Sequence, residues 1–151
     1  MTHDHDILII GGGLNAPALG LALARAGLTV AIVDAQPARA RADTGFDGRA
    51  YALAIASKRL LSAIGIWPQV EPHSQPMLKI KASDGRAGEG PSRLTLTFDS
   101  ADIEEGPVGF MVEDRHLYAA FLSAMQTTPG LTHIPATTVT DHQPGAQGAS
   151  V

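Results

Sequence analysis

The chain has 151 residues, which suits one domain with a core of ordinary size. Its formal net charge of −4 gives no broad attraction to nucleic acid. The absence of cysteine excludes disulfides, thiolate metal sites and cysteine nucleophiles.

The first residues include His3-Asp4-His5-Asp6. Such a cluster can gather a metal, but free termini are usually too loose to do so, and no metal site is expected. The stretch from Ile7 to Leu28 is apolar enough to raise the question of a membrane span or signal peptide. No Lys or Arg precedes it, and three glycines and a proline interrupt it, so a cytoplasmic protein is expected. Peripheral association with a membrane stays open.

Ile7 to Ile10 is a continuous aliphatic run, the pattern of a strand buried on both faces. Gly11, Gly12 and Gly13 break it with a turn. Leu14 to Ala26 is rich in Ala and Leu at helical spacing, and Gly27 ends that helix. Thr29 to Val33 reads as a second buried strand, with Asp34 at its carboxyl end. Together these form one β-α-β unit.

The glycines have physical work in that unit. Gly11 permits the tight turn from strand to helix, and Gly13 leaves room for a pyrophosphate to approach the backbone. The third position of the motif, usually glycine for close helix–strand packing, is Ala16, giving G-x-G-x-x-A. Phosphates would sit on the free N–H groups at the helix N-terminus, where the helix dipole favours anions. Pro17 falls in the first turn, where its missing N–H costs little. Asp34 stands where an acidic side chain accepts hydrogen bonds from a dinucleotide ribose. The competing reading is a buried α/β unit whose glycines serve packing alone.

Gln36 to Ala50 is polar, with Pro37, Gly45 and Gly48, and reads as a loop. Tyr51 to Ile64 returns to helical spacing, with Leu53, Leu60, Leu61 and Ile64 on a shared face, closed by Gly65. Trp67-Pro68 starts a bend in which Trp67 reads as a packing anchor. Met77 to Ala82 alternates as a half-exposed strand, with Lys79 and Lys81 on its solvated face. Ser83 to Arg93 reads as a flexible connection, and Leu94 to Phe98 alternates again. The two alternating runs are expected to pair antiparallel and begin a second sheet. Gly109 to Val112 reads as a short strand, Asp114 as an N-cap, and Arg115 to Gln126 as a helix with Leu117, Phe121, Leu122 and Met125 inward. Leu131 to Ile134 fits a further parallel strand of the first sheet, and Thr137 to Asp141 another strand. Pro144 to Val151 reads as a turn and a strand start with nothing to pair against.

No triad of Ser, His and Asp stands out, and no catalytic residue is assigned. Arg25, Arg39 and Arg41 read as surface charge. Arg49 and Arg115 differ, because each is read as opening a helix, where a guanidinium can grip phosphate bidentately.

The strings G-G-G-L-N-A-P-A-L-G-L-A-L, V-D-A, D-G-R-A-Y-A-L-A-I-A-S-K-R-L-L-S-A-I-G-I-W and V-E-D-R-H-L resemble the FAD-dependent hydroxylases of ubiquinone biosynthesis. These belong to the flavoprotein aromatic monooxygenases similar to para-hydroxybenzoate hydroxylase. The resemblance runs from Asp6 to about Leu122. It implies an α/β fold: a Rossmann-like FAD-binding β-α-β unit with a parallel sheet, plus the first antiparallel strands of a substrate-side sheet over 76–112. It implies FAD as cofactor, with Gly11, Gly13, Leu14, Asn15 and Ala16 at the pyrophosphate turn and Asp34 on the adenosine ribose. Arg49 and Arg115 match two family arginines that contact the cofactor. The family hydroxylates the ring of a polyprenylated phenol with NAD(P)H and molecular oxygen. That substrate implies peripheral contact with the inner membrane or with a ubiquinone-biosynthesis complex. Its second flavin motif, G-D-A-A-H, does not occur in this chain. Residues 1–151 are therefore expected to be the N-terminal part of an FAD-binding domain that alone hydroxylates nothing and holds FAD poorly or not at all. The other readings are a free-standing module for NAD(P) or FAD and an inactive truncated fragment.

Overall fold

The structure, a computed structural model, describes residues 4–38, 45–104, 106–146 and 148–151. His3, Arg39 and Arg41, named above, lie outside the described residues. The first unit is the expected one. Strand β1 (Ile7–Ile10) leads through helix α1 (Asn15–Arg25) to β2 (Val30–Val33), and β2 lies parallel to both β1 and β8 (Leu131–Ile134) in the order β1-β2-β8. All four residues of β2 are buried, as befits a central strand. β1 departs from expectation. Only Ile7 and Ile9 pack on the core, while Leu8 and Ile10 are exposed, because this strand sits at the edge of the sheet.

Helix α1 ends as its sequence demands. Gly27 takes a φ of +91°, its N–H donates to the Ala24 carbonyl, and the Leu28 N–H donates to the Leu23 carbonyl, the doubled closure that a left-handed residue allows. The close approach of α1 to the sheet falls one turn beyond Ala16. At Gly20, a Cβ would stand 2.7 Å from Ile32 Cδ1 and 3.3 Å from Leu131 Cδ1.

A second, antiparallel sheet has the order β3-β7-β4, from β3 (Ala50–Ala54), β4 (Ser74–Met77) and β7 (Gly109–Glu113). Here the expected helix over Tyr51 to Ile64 is corrected. Residues 50–54 are strand, and helix α2 spans only Ile55–Ala63. Ala and Leu favour a helix locally, but full pairing of β3 with β7 overrides that preference. Arg49 therefore precedes a strand and does not open a helix. Leu61 and Ile64 are buried as expected, whereas Leu60 is exposed. Trp67, in the short helix α3 (Trp67–Val70), is a packing anchor: it is buried and meets the Phe110 ring edge-on at 4.9 Å.

The expected strand at 77–82 is divided between β4 and β5 (Lys79–Arg86), and β5 pairs antiparallel with β6 (Gly90–Asp99). Ser83 to Arg93 is therefore mostly hairpin, not a flexible connection; Gly88 and Gly90, both at positive φ, make the tight turn. Helix α4 (Asp114–Thr127) buries Leu117, Phe121 and Met125 against the core, with Leu122 partly buried. Its cap position is Glu113. Asp114 is the first helical residue, and its side chain makes no cap. The expected strand at 137–141 is absent. The backbone instead turns back on the exit of β2, with the Ala136 N–H donating to the Gln36 carbonyl, the Thr137 N–H to the Asp34 carbonyl, and Ala136 held at φ +54°. Nor is the end of the chain unpaired, because β9 (Gln143–Gly145) and β10 (Gly148–Ser150) form a hairpin.

Candidate functional site

The glycine turn closes β1 and opens α1. Gly11 adopts φ +100°, which its lack of a side chain permits, and its N–H donates to the Val33 carbonyl at 2.8 Å. Among the described residues, the N–H groups of Gly12, Gly13, Leu14 and Asn15 find no backbone acceptor. No side chain caps α1, and its first turn carries no acid. The turn thus presents donors to an anion, with the helix dipole aligned behind them.

These donors border a cleft of about 870 Å3 between the first unit and the second sheet. Gly11, Gly13, Leu14, Asn15, Ala16 and Arg49 all line it. A Cβ added at Gly13 would meet nothing within 4 Å, so the backbone there is open to close approach. Six of the eight site residues read from the sequence are therefore brought together. The other two, Asp34 and Arg115, are not part of the lining.

Asp34 follows β2 and is buried, 3% exposed. Its Oδ1 accepts from the Gln36 N–H at 3.1 Å, and its backbone is tied to Ile134 and Thr137. Its carboxyl lies against Gly12, where a Cβ would overlap it. Sequence reasoning gave Gly12 a place in the turn but no contact with the acid. Its signal is the middle glycine of three, near a strand that ends in an acid. Arg115 Nε donates to Glu113 Oε2 at 2.6 Å, and its guanidinium stands 5.9 Å from the Phe46 ring centroid.

Arg49 has protein partners. Nε and Nη2 meet Asp47 Oδ2 at 2.7 and 2.6 Å, and Nη2 meets Asp114 Oδ2 at 3.2 Å. The hydrogen bond from Arg49 holds the Asp47 carboxyl below its usual range, and Asp47 raises the guanidinium in turn. Arg49 and Asp47 thus form an ion pair within the loop that precedes β3. Tyr51, also in the lining, donates its hydroxyl to Asp114 Oδ1 at 3.0 Å. Burial, then that bond, pushes the phenol up. The spacing of Arg49 and Tyr51, two apart, would have placed them together had the strand been recognised. Outside the cleft, the rings of His73 and His116 stack at 3.9 Å, and burial lowers His116. At the chain start, Asp6 accepts from the Thr29 N–H and hydroxyl at 2.7 and 2.8 Å. No group of three metal-ligating side chains occurs among the described residues.

No protein-family model matches the chain. Curated relatives do, two of which are at least 30% identical. Ubiquinone hydroxylase UbiL of Rhodospirillum rubrum is 40% identical over 127 residues, 84% of this chain and 28% of the relative. The 3-demethoxyubiquinol 3-hydroxylase of Escherichia coli is 30% identical over 141 residues, 91% of this chain and 34% of the relative. The chain thus spans about a third of the length of these proteins. Among solved structures, PqsL, a probable FAD-dependent monooxygenase from Pseudomonas aeruginosa, superposes with a TM-score of 0.70 at 18% identity, covering 95% of this chain and 36% of that one. The p-nitrophenol 4-monooxygenase PnpA from Pseudomonas putida gives 0.69 at 15% identity, covering 95% and 37%. Those two likenesses establish the fold, and the sequence matches carry the kinship. The chain belongs to the ubiquinone-hydroxylase family, of which it spans the N-terminal portion.

Proposed function

We propose that the chain is the FAD-binding N-terminal segment of a monooxygenase that hydroxylates the aromatic ring of a polyprenylated ubiquinone precursor with NAD(P)H and oxygen. The observation that carries this reading is the meeting of Gly11, Gly13 to Ala16 and Arg49 around one cleft. The residues fit the cofactor. The free N–H groups of the turn suit a pyrophosphate, the bare Gly13 admits it, and Arg49 supplies positive charge nearby. Asp34, clamped at the end of β2, would take the adenosine ribose, and Arg115 would contact the cofactor from the start of α4. Bound FAD would supply the oxygen-activating chemistry. This chain's residues bind and orient the adenosine and pyrophosphate end. The β5–β6 hairpin, within the range 76–112, would begin the substrate-side sheet, and the exposed Leu94, Leu96 and Phe98 of β6 are consistent with that place. Among the described residues no helix is long and apolar enough to cross a membrane. A prenylated substrate would bring the protein to the inner membrane surface or to a biosynthetic complex.

The test is titration of the 15N-labelled chain with FAD and, separately, with NADP, read by amide chemical shifts. Weak FAD binding with shifts centred on 11–16 is expected. Asp34→Ala should weaken it by about 1.5–3 kcal/mol, as for loss of a hydrogen bond to a charged group. Shifts confined to other residues, or a response to NADP alone, would overturn the reading.

A further inference from the structure

A carboxylate in the wall of an anion site works against the ligand by simple electrostatics, and this cleft has one. Asp114 lines it beside Arg49 and Tyr51, with one oxygen on the Tyr51 hydroxyl at 3.0 Å and the other on the Arg49 guanidinium at 3.2 Å. The arrangement is fixed by backbone. Ala50 pairs with Glu113 across β3 and β7, and the Asp114 N–H donates to the Arg49 carbonyl at 3.1 Å. The Asp114 side chain is 16% exposed, against 49% for Asp47, which also holds Arg49 but does not line the cleft. Asp47 and Asp114 occupy Nε and Nη2, and among the described residues no group engages Nη1.

We propose that Tyr51 and Asp114 are positioning residues: the hydroxyl fixes the carboxylate, and the carboxylate holds the Arg49 guanidinium at the cleft mouth with its Nη1 edge presented to a phosphate-bearing dinucleotide. This rests on the dinucleotide reading of the cleft. An arginine at the end of a loop must be ordered before it can grip a ligand, and one already held in place loses less freedom on binding. The planar fork makes this workable, because one edge can rest on a carboxylate while the other faces outward.

Charge repulsion and positioning predict opposite signs. Asp114→Asn removes the negative charge while keeping the shape and an acceptor for Tyr51. Repulsion alone would tighten FAD binding. Positioning weakens it, by roughly fivefold for Asp114→Asn and roughly threefold for Tyr51→Phe, within the range for residues coupled in one hydrogen-bond network. Asp99→Asn, the same charge change at a carboxylate that pairs with Lys79 away from the cleft, is expected not to weaken binding. In an Arg49→Gln background the Asp114→Asn effect should vanish, which a general loss of structure would not produce. The experiment titrates the 151-residue chain and these variants with FAD, following the amide shifts of Gly11 to Ala16. Unchanged or tighter binding in both Asp114→Asn and Tyr51→Phe overturns the proposal, as does an Asp114→Asn effect that survives without Arg49. A parent chain with no FAD-dependent shift at 11–16 overturns the dinucleotide reading, and this proposal with it.

Discussion

Gly12 offers a sharp test of how turn and strand are fitted together. A methyl group at this position would stand 2.7 Å from Asp34 Cβ and closer still to the carboxyl. Asp34 has little room to yield. Its N–H donates to the Ile134 carbonyl at 3.0 Å, its own carbonyl accepts from Thr137 at 3.0 Å, and its Oδ1 accepts from Gln36 at 3.1 Å. Overpacking a filled site costs about 1–3 kcal/mol. Pushing the carboxyl off the Gln36 N–H forfeits about 1–2 kcal/mol more. Gly12→Ala should therefore destabilise the chain by roughly 2–5 kcal/mol, a fall in melting temperature of about 5–15 °C for a domain of this size. Gly13→Ala is the control. Its Cβ would meet nothing and its φ is not in the left-handed region, so it should be neutral or stabilising by up to about 1 kcal/mol. Thermal melts followed by circular dichroism read both variants. A second arm places Gly12→Ala in an Asp34→Ala background, where most of the penalty should disappear. If Gly12→Ala melts with Gly13→Ala, or its penalty persists without the Asp34 side chain, the reasoning fails.

Gly20→Ala should cost about 1–3 kcal/mol in chemical denaturation, because its Cβ would press on Ile32 and Leu131 in the core. Gly65→Ala should cost a similar amount, roughly 1–3 kcal/mol, since the residue sits at φ +70° against the Arg25 guanidinium; wild-type stability would remove that argument. His116 is lowered from 6.5 by burial first, then by His73 and Arg115, with Glu113 opposing. The unfolded chain therefore takes up its proton first as pH falls, and folding stability should drop below about pH 6.5 until the folded histidine also titrates. Urea midpoints at pH 7.5 and pH 5 measure this, and His116→Gln should flatten part of the drop. The chain alone should show no FAD-dependent NAD(P)H oxidation with a prenylated phenol, and substrate-stimulated turnover would contradict that.

The first unit was legible because its signals are local. An aliphatic run, a glycine turn, an Ala/Leu helix with a glycine stop and a second aliphatic run each state their conformation within a few residues. The segment Ala50–Ala54 was not legible for the opposite reason. Its residues favour a helix, and only pairing with Gly109–Glu113, far along the chain, makes it a strand. That error hid Tyr51 from the site and misplaced Arg49. The glycine turn and Arg49 were found in sequence. The grip of Asp47 and Asp114 on Arg49, and the contact of Asp34 with Gly12, depend on three-dimensional placement that motif spacing does not encode. The β-branched run from Thr137 to Thr140 imitated a strand, but the backbone at its start is drawn back to Asp34 and Gln36 instead.

The central position of β2 has a consequence for how the chain comes to fold. Its second neighbour, β8, pairs Val30 with Leu131, so one edge of this apolar strand is satisfied by a partner about a hundred residues further along the chain. Closing such a loop costs about 4 kcal/mol of chain entropy before any contact rewards it. At about 5–20 residues per second of synthesis, the open edge of β2 waits roughly 5–20 s for its partner to be made. Through that interval Val30, Ala31, Ile32 and Val33 form an uncovered edge beside the finished β1–α1 unit, the segment most in need of protection during biogenesis.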